Sequence, residues 1–279
     1  KPYQQDLIPM IYSVFAGIGL GIIMLLLAER LTPNLFTLLT LVISSSFLYV
    51  NTAFNWDSIA LILLGAALLL RKRGWASIFI GLALLVRWEY GLFGIMFYSV
   101  VHWRRLWHFI PFLIAKLFLG FEVSFELTPY FSELGLLSGV GVFHLLLVMM
   151  GLFWTWKRHK AHNLIFLLIM ILGFFNGPAR VFTGLFGAFY AGEFLSFLYG
   201  REWSISKLKK ATFLLILCGL AFSFVAHAGG VIDAPPDESM LASFSVLEDA
   251  SPSVVMTDPQ YHDWVTYYTD HNVTFNRSV

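Results

Sequence analysis

Ten polar residues stand at or near the edges of long apolar runs: Asp6, Asn51, Asn55, Asp57, Arg87, Glu89, Glu122, Glu126, Glu133 and Arg180. An arginine offers the planar fork that grips a phosphate oxygen. A carboxylate can take a proton, orient a partner or hold a divalent cation. Asp57 opens a run in NTAFNWDSIALIL, where an acid facing the macrodipole of a helix needs no function. Arg87 and Glu89 interrupt the run from Trp75 to Val101 in LLVRWEYG. They form either a plain solvated turn or the polar rim of a cavity that opens outward, with Arg87 turned to a phosphate. Glu122, Glu126 and Glu133 lie in FEVSFELTPYFSELG, which reads first as a solvated loop and second as a base or cation site.

Lys116 and Glu193 differ from these, since each falls inside an apolar run, where an ionisable group is costly. Lys116 lies eight residues beyond His108 and Glu193 eight residues before Arg201. Their matched depth predicts a structural ion pair. The eight histidines are scattered without paired metal spacing, so no metal site is assigned. No P-loop, no GxGxxG after a strand and no GxSxG occurs. The basic residues are explained by topology, and nothing supports nucleic-acid binding. Cys218, the one cysteine, excludes an intrachain disulfide and reads as a small apolar residue.

The elements that position these residues are helices. Hydrophobic residues make up 58% of the chain and charged residues 13%, with a mean hydropathy of +0.75. A soluble domain carries about 25% charge, so the expected class is an all-α polytopic membrane protein. Apolar runs fall at 7–28, 34–50, 57–70, 75–86, 90–101, 107–121, 138–155, 163–176, 179–199 and 209–228, about ten spans. Gly17 and Gly21 form a GxxxG pattern that suits close helix packing.

Orientation follows from the loops. With LLVRWEYG as a turn, alternate loops carry Arg30; Arg71, Lys72 and Arg73; Arg104 and Arg105; Lys157, Arg158 and Lys160; and Arg201, Lys207, Lys209 and Lys210. Thirteen of the eighteen basic residues then share one side, which is cytoplasmic by the positive-inside rule. A single helix from Trp75 to Val101 would move nine of them outside, as would a re-entrant hairpin. Arg87 and Glu89 are therefore expected near the outer surface. The first run starts outside, so one further helix is expected before Lys1.

Residues 229–279 are acidic and mixed in character, in contrast to the membrane core at 1–228. DAPPDES reads as a linker and helix start, Met240, Leu241, Phe244 and Leu247 as one helix face, SVVMTD as a strand and YHDWVTYYT as a second helix. This predicts the start of a small extracytoplasmic α/β domain. Asn272 and Asn276 each open an N-x-S/T sequon.

Three stretches together resemble the membrane core of GT-C glycosyltransferases, the group of the protein O-mannosyltransferases and lipid A aminoarabinose transferases. They are KPYQQDLIPMIYSVFAGIGLG, LVISSSFLYVNTAFNWDSIALILLGAALLLRKRGWASIFIGLALLVRWEYGLF and NGPARVFTGLFGAFYAG. Asp57 matches an aspartate that opens a span, Arg87 a basic residue that ends one, and Arg180 a late arginine. SVVMTD and WVTYYTDHNV look like the start of the family's periplasmic domain.

The resemblance implies an inverting transferase that moves a sugar from a polyprenyl-phosphate donor to an acceptor on the extracytoplasmic face. It implies Arg87 and Arg180 as donor-phosphate contacts, and Asp57, Glu89 and Asn55 as cavity-lining groups. The family's catalytic base lies just after its first transmembrane helix, upstream of the region matching Lys1. Asp6 is near the right loop but too close to the next span to be the first choice. Metal dependence, donor sugar and acceptor are left open. The rival expectations are a membrane transporter or lipid flippase, whose substrate path the same charges would line, and a non-catalytic GT-C-like subunit.

Overall fold

The computed structural model describes residues 3–31, 34–52, 56–70, 75–119, 131, 139–233, 246–247, 254–257 and 272–275. The chain forms two compact units, 1–230 and 231–279.

The first unit is helical. Its elements are α1 (Tyr3–Leu31), α2 (Leu35–Val42), α3 (Ser45–Thr52), α4 (Trp56–Leu69), α5 (Trp75–Val86), α6 (Trp88–His102), a 3-10 turn (Trp103–Phe109), α7 (Ile110–Leu119), α8 (Val142–Thr155), α9 (Lys160–Leu172), α10 (Gly177–Gly200) and α11 (Ser206–Asp233). Among the described residues, two helices are long and apolar enough to cross a membrane: Gly177–Gly200 and Ser206–Gly229. Five further apolar helices are shorter, 10–17 residues each.

Two of the expected runs are not single helices. The run at 34–50 breaks into α2 and α3. Ser44 makes the break: its Oγ donates to the Leu41 carbonyl at 2.8 Å and accepts the Phe47 N–H at 3.2 Å. A serine that bonds its neighbours' backbone competes with the helical ladder and starts a new helix. Asn34 caps α2 in the same way, accepting the Thr37 N–H at 2.8 Å. The run at 107–121 begins as the 3-10 turn and becomes helical only at Ile110.

LLVRWEYG is a break between two helices that fold back on each other. Arg87 is the one residue between α5 and α6, and its N–H still reaches the Ala83 carbonyl at 2.8 Å. A Cβ built on Gly91 would overlap the Leu84 backbone, and one on Gly94 would stand 3.1 Å from Ile80 Cγ2. Those pairs, Leu84 with Gly91 and Ile80 with Gly94, describe an antiparallel hairpin. Only glycine at 91 lets the two backbones approach so closely.

Helix α10 is the centre of the unit. Fourteen of its residues are buried, from Ala179 to Leu195, and it packs on α8, α2, α3, α9 and α6. Its small residues let neighbouring helices come near: a Cβ on Gly184 would meet Ser46, and one on Gly192 the Thr37 backbone. Thr40 Oγ1 donates across that contact to the Ala188 carbonyl at 3.0 Å. Helix α11 is the opposite case, with only 22% of its apolar window buried. Leu214, Leu215, Leu217, Phe222 and Val225 are all exposed on it.

In the second unit, β1 (Val254–Thr257) pairs in parallel with β2 (Asn272–Phe275), Val254 opposite Asn272. The strand expected at SVVMTD is β1. A parallel pair needs a crossover; the helix expected in YHDWVTYYT lies outside the described residues, as does Asn276.

Candidate functional site

The chain order of the helices brings one set of N-termini together. Phe93 meets Phe182 with ring centroids 5.2 Å apart, and further along Tyr98 and His102 share a cavity with Phe189 and Glu193, so α6 and α10 run in the same direction. Leu64 meets the Gly94 position, which aligns α4 with α6. The first turns of α4, α6 and α10 therefore share one end of the bundle, and with them Asp57, Arg87, Glu89 and Arg180. Helix N-termini carry partial positive charge, so this end favours an anion.

Asp57 and Arg87 are joined. The Arg87 Nε donates to Asp57 Oδ1 at 2.9 Å, the one ion pair among the described residues. The two partners differ in exposure: the Asp57 side chain is 6% exposed and that of Arg87 36%. Asp57 is thus held by the first turn of α4 and by Arg87, and its sequence reading as a dipole-facing acid covers half of what it does. Burial pulls the Arg87 pKa down, but the Asp57 bond and charge, with Glu89 nearby, outweigh it and leave the pKa raised. Arg87 stays charged. Among the described residues it is hydrogen-bonded through Nε, which leaves its two terminal nitrogens for another oxygen.

Glu89 is buried, and its Oε2 has no hydrogen-bond partner among the described residues. It lies in the first turn of α6, beside the Asp57–Arg87 pair.

Arg180 is buried, 5% exposed, and its Nη2 lies 3.7 Å from where a Cβ on Gly177 would stand. It is folded over the first turn of α10, whose N-cap Asn176 accepts the Ala179 N–H at 3.0 Å. The sequence reading made Arg180 an equal partner of Arg87, but its burial makes it a deeper group. Asn55, Glu122, Glu126, Glu133 and the side chains of Asp6 and Asn51 lie outside the described residues.

The expected ion pair of Lys116 with Glu193 is not formed. Lys116 is on α7, which packs on α5 and the 3-10 turn, and its charge is felt by Glu89. Glu193 is on α10 and lines a cavity at the other end of the bundle. The two lie towards opposite ends of the bundle, so the depth counted from His108 and from Arg201 does not carry over: Trp103–Phe109 form a 3-10 turn, and α7 begins only at Ile110.

Sequence reasoning passed over Tyr90, which is fully buried, its hydroxyl without a hydrogen-bond partner among the described residues. It also passed over His102, His159 and His162, which line the same cavity as Glu193. Their wide spacing carried no signal; tertiary packing brings them together. Among the described residues no group of three or more His, Cys, Asp or Glu is placed to hold a metal ion. Comparison with family models, curated proteins and solved structures gave no match.

Proposed function

We propose that this chain is the core of a multi-pass GT-C-type glycosyltransferase, with about ten helices crossing the bilayer and the Arg87 end on the extracytoplasmic face. Residues 229–279 then begin a small extracytoplasmic α/β domain. The donor is a polyprenyl-phosphate sugar, whose tail stays in lipid while its phosphate meets the Arg87 end. An acceptor hydroxyl attacks the anomeric carbon and gives its proton to a base. The bond from that carbon to the phosphate oxygen breaks, and the electron pair leaves on the lipid phosphate. Arg87 stabilises that charge. Among the described carboxylates none is assigned as the base, since Asp57 is engaged by Arg87.

The observation that carries the reading is a charged arginine fixed by Asp57 through Nε, 36% exposed, at an end where helix N-termini converge. The apolar surface exposed on α11 suits a lipid environment. A short-chain polyprenyl phosphate is expected to raise the melting temperature of the detergent-solubilised protein, and the prenyl alcohol of equal length is not. Arg87→Gln should abolish the shift. Equal shifts from alcohol and phosphate would remove the phosphate site. A transporter is the second reading, favoured by the cavity at the opposite end; uptake of solute into proteoliposomes without sugar transfer would select it.

A further inference from the structure

At the end of the bundle away from Arg87, a cavity of about 340 Å³ lies among α4, α6, α9 and α10. That size falls within the range of small-molecule sites. Its walls are largely rings, with Phe97, Phe166 and Phe182 deep in it and Tyr98 and Tyr190 beside them. Glu193 lines the same space, and among the described residues no cation lies within ion-pair distance of it. Tyr98 is 6% exposed, and its hydroxyl has no hydrogen-bond partner among the described residues. Glu193 is half-buried there, a carboxylate set among aromatic rings.

We propose that this cavity binds a small organic monocation, an ammonium or quaternary ammonium on a compact apolar body, with Glu193 as its counter-ion. Aromatic rings in the wall favour a cation over an anion through their quadrupoles. Three imidazoles complete the wall. His162 stacks on Phe97 with centroids 6.0 Å apart, His102 lies 4.8 Å from the Tyr98 ring, and His159 meets His162 edge-on at 6.2 Å. An anion would have to enter against Glu193 and the negative faces of the phenyl rings. The site is independent of the transferase reading and stands or falls separately from it.

The test is calorimetric titration of the detergent-solubilised protein with three ligands of like shape: benzyltrimethylammonium, its neutral isostere neopentylbenzene, and the anion benzenesulfonate. The cation is expected to bind and the other two not to. Glu193→Gln should weaken cation binding by at least about tenfold, and Phe97→Leu by a smaller factor. Equal binding of the neutral isostere, preferential binding of the sulfonate, or wild-type affinity in Glu193→Gln would each overturn the proposal. The three-ligand comparison on wild type decides the charge preference even if the glutamine variant does not fold.

Discussion

Arg87→Ala is expected to lower sugar transfer by about two orders of magnitude and to cost about 2 kcal/mol of stability. The first effect follows, in the proposed transferase, from removing the charge placed nearest the departing phosphate. The second follows from Asp57, 6% exposed in the pair, which loses the guanidinium it is bonded to. Removing one partner of a fully buried pair costs about 3–5 kcal/mol. Here the half-open Arg87 side and the first turn of α4 reduce that figure. The same geometry predicts an asymmetry. Asp57→Ala leaves Arg87 free to turn into solvent, so its stability loss should be smaller, about 1 kcal/mol, while transfer falls because the guanidinium is no longer aimed. Arg87→Lys should keep charge and recover part of the stability, but not the forked contact. Unfolding and transfer measured on all three variants check this. A stability loss in Asp57→Ala equal to or above that in Arg87→Ala would show that Asp57 is not the dependent partner.

The second large effect is at Gly151, where α8 crosses α10. A Cβ there would overlap the Tyr190 carbonyl and stand 3.0 Å from Tyr190 Cα. The obstacle is backbone, inside the most buried helix of the unit, and backbone cannot rotate away as a side chain can. Gly151→Ala should cost about 1–3 kcal/mol, and Gly151→Val more, by forcing the two helices apart. Because Phe182, Phe186, Phe189, Tyr190 and Glu193 on α10 line the far cavity, Gly151→Ala should also weaken ligands bound there. Gly229 on α11 is the control, with nothing within 4 Å of its added Cβ. Gly229→Ala should be neutral or stabilising by up to about 1 kcal/mol, since alanine is the better helix former. Equal losses at 151 and 229 would mean that helix propensity, not close approach, governs both.

How much of this was legible in the chain depends on which force sets each feature. The break at Arg87 was readable because charges two positions apart interrupt an apolar run, and the loop charges accept only one folding of that run. The break at Ser44 was not, since LVISSSFLYV is apolar enough to read as one span; only the hydrogen bonds of the serine side chain divide it. The grouping of Asp57 with Arg87 came from their placement on one side of the chain, but their bond is a matter of helix rotation. Lys116 and Glu193, which counted depth had paired, lie towards opposite ends of the bundle. The far cavity was invisible because its polar groups come from helices distant in sequence, each looking like an ordinary helix end.

The helix ends repeat the charge pattern in physical form. Lys209 Nζ donates to the Tyr199 carbonyl at 2.6 Å and lies 4.1 Å over the Tyr199 ring, at the C-terminus of α10. Arg30 donates to the Leu69 carbonyl at the C-terminus of α4. Cations thus gather where helices α4 and α10 end, and Asp57 and Glu89 where α4 and α6 begin, as the macrodipole favours. Arg87 and Arg180, cations at the N-terminal end, run against that pattern, and Asp57 holds Arg87 there.

The measurement that bears most directly on the donor site is photocrosslinking of membranes with a polyprenyl-phosphate sugar carrying a diazirine next to its phosphate, followed by peptide mapping. The account predicts adducts at 86–90 and 176–183, where α6 and α10 begin. Adducts confined to 97–102 and 155–162, around the opposite cavity, would contradict it.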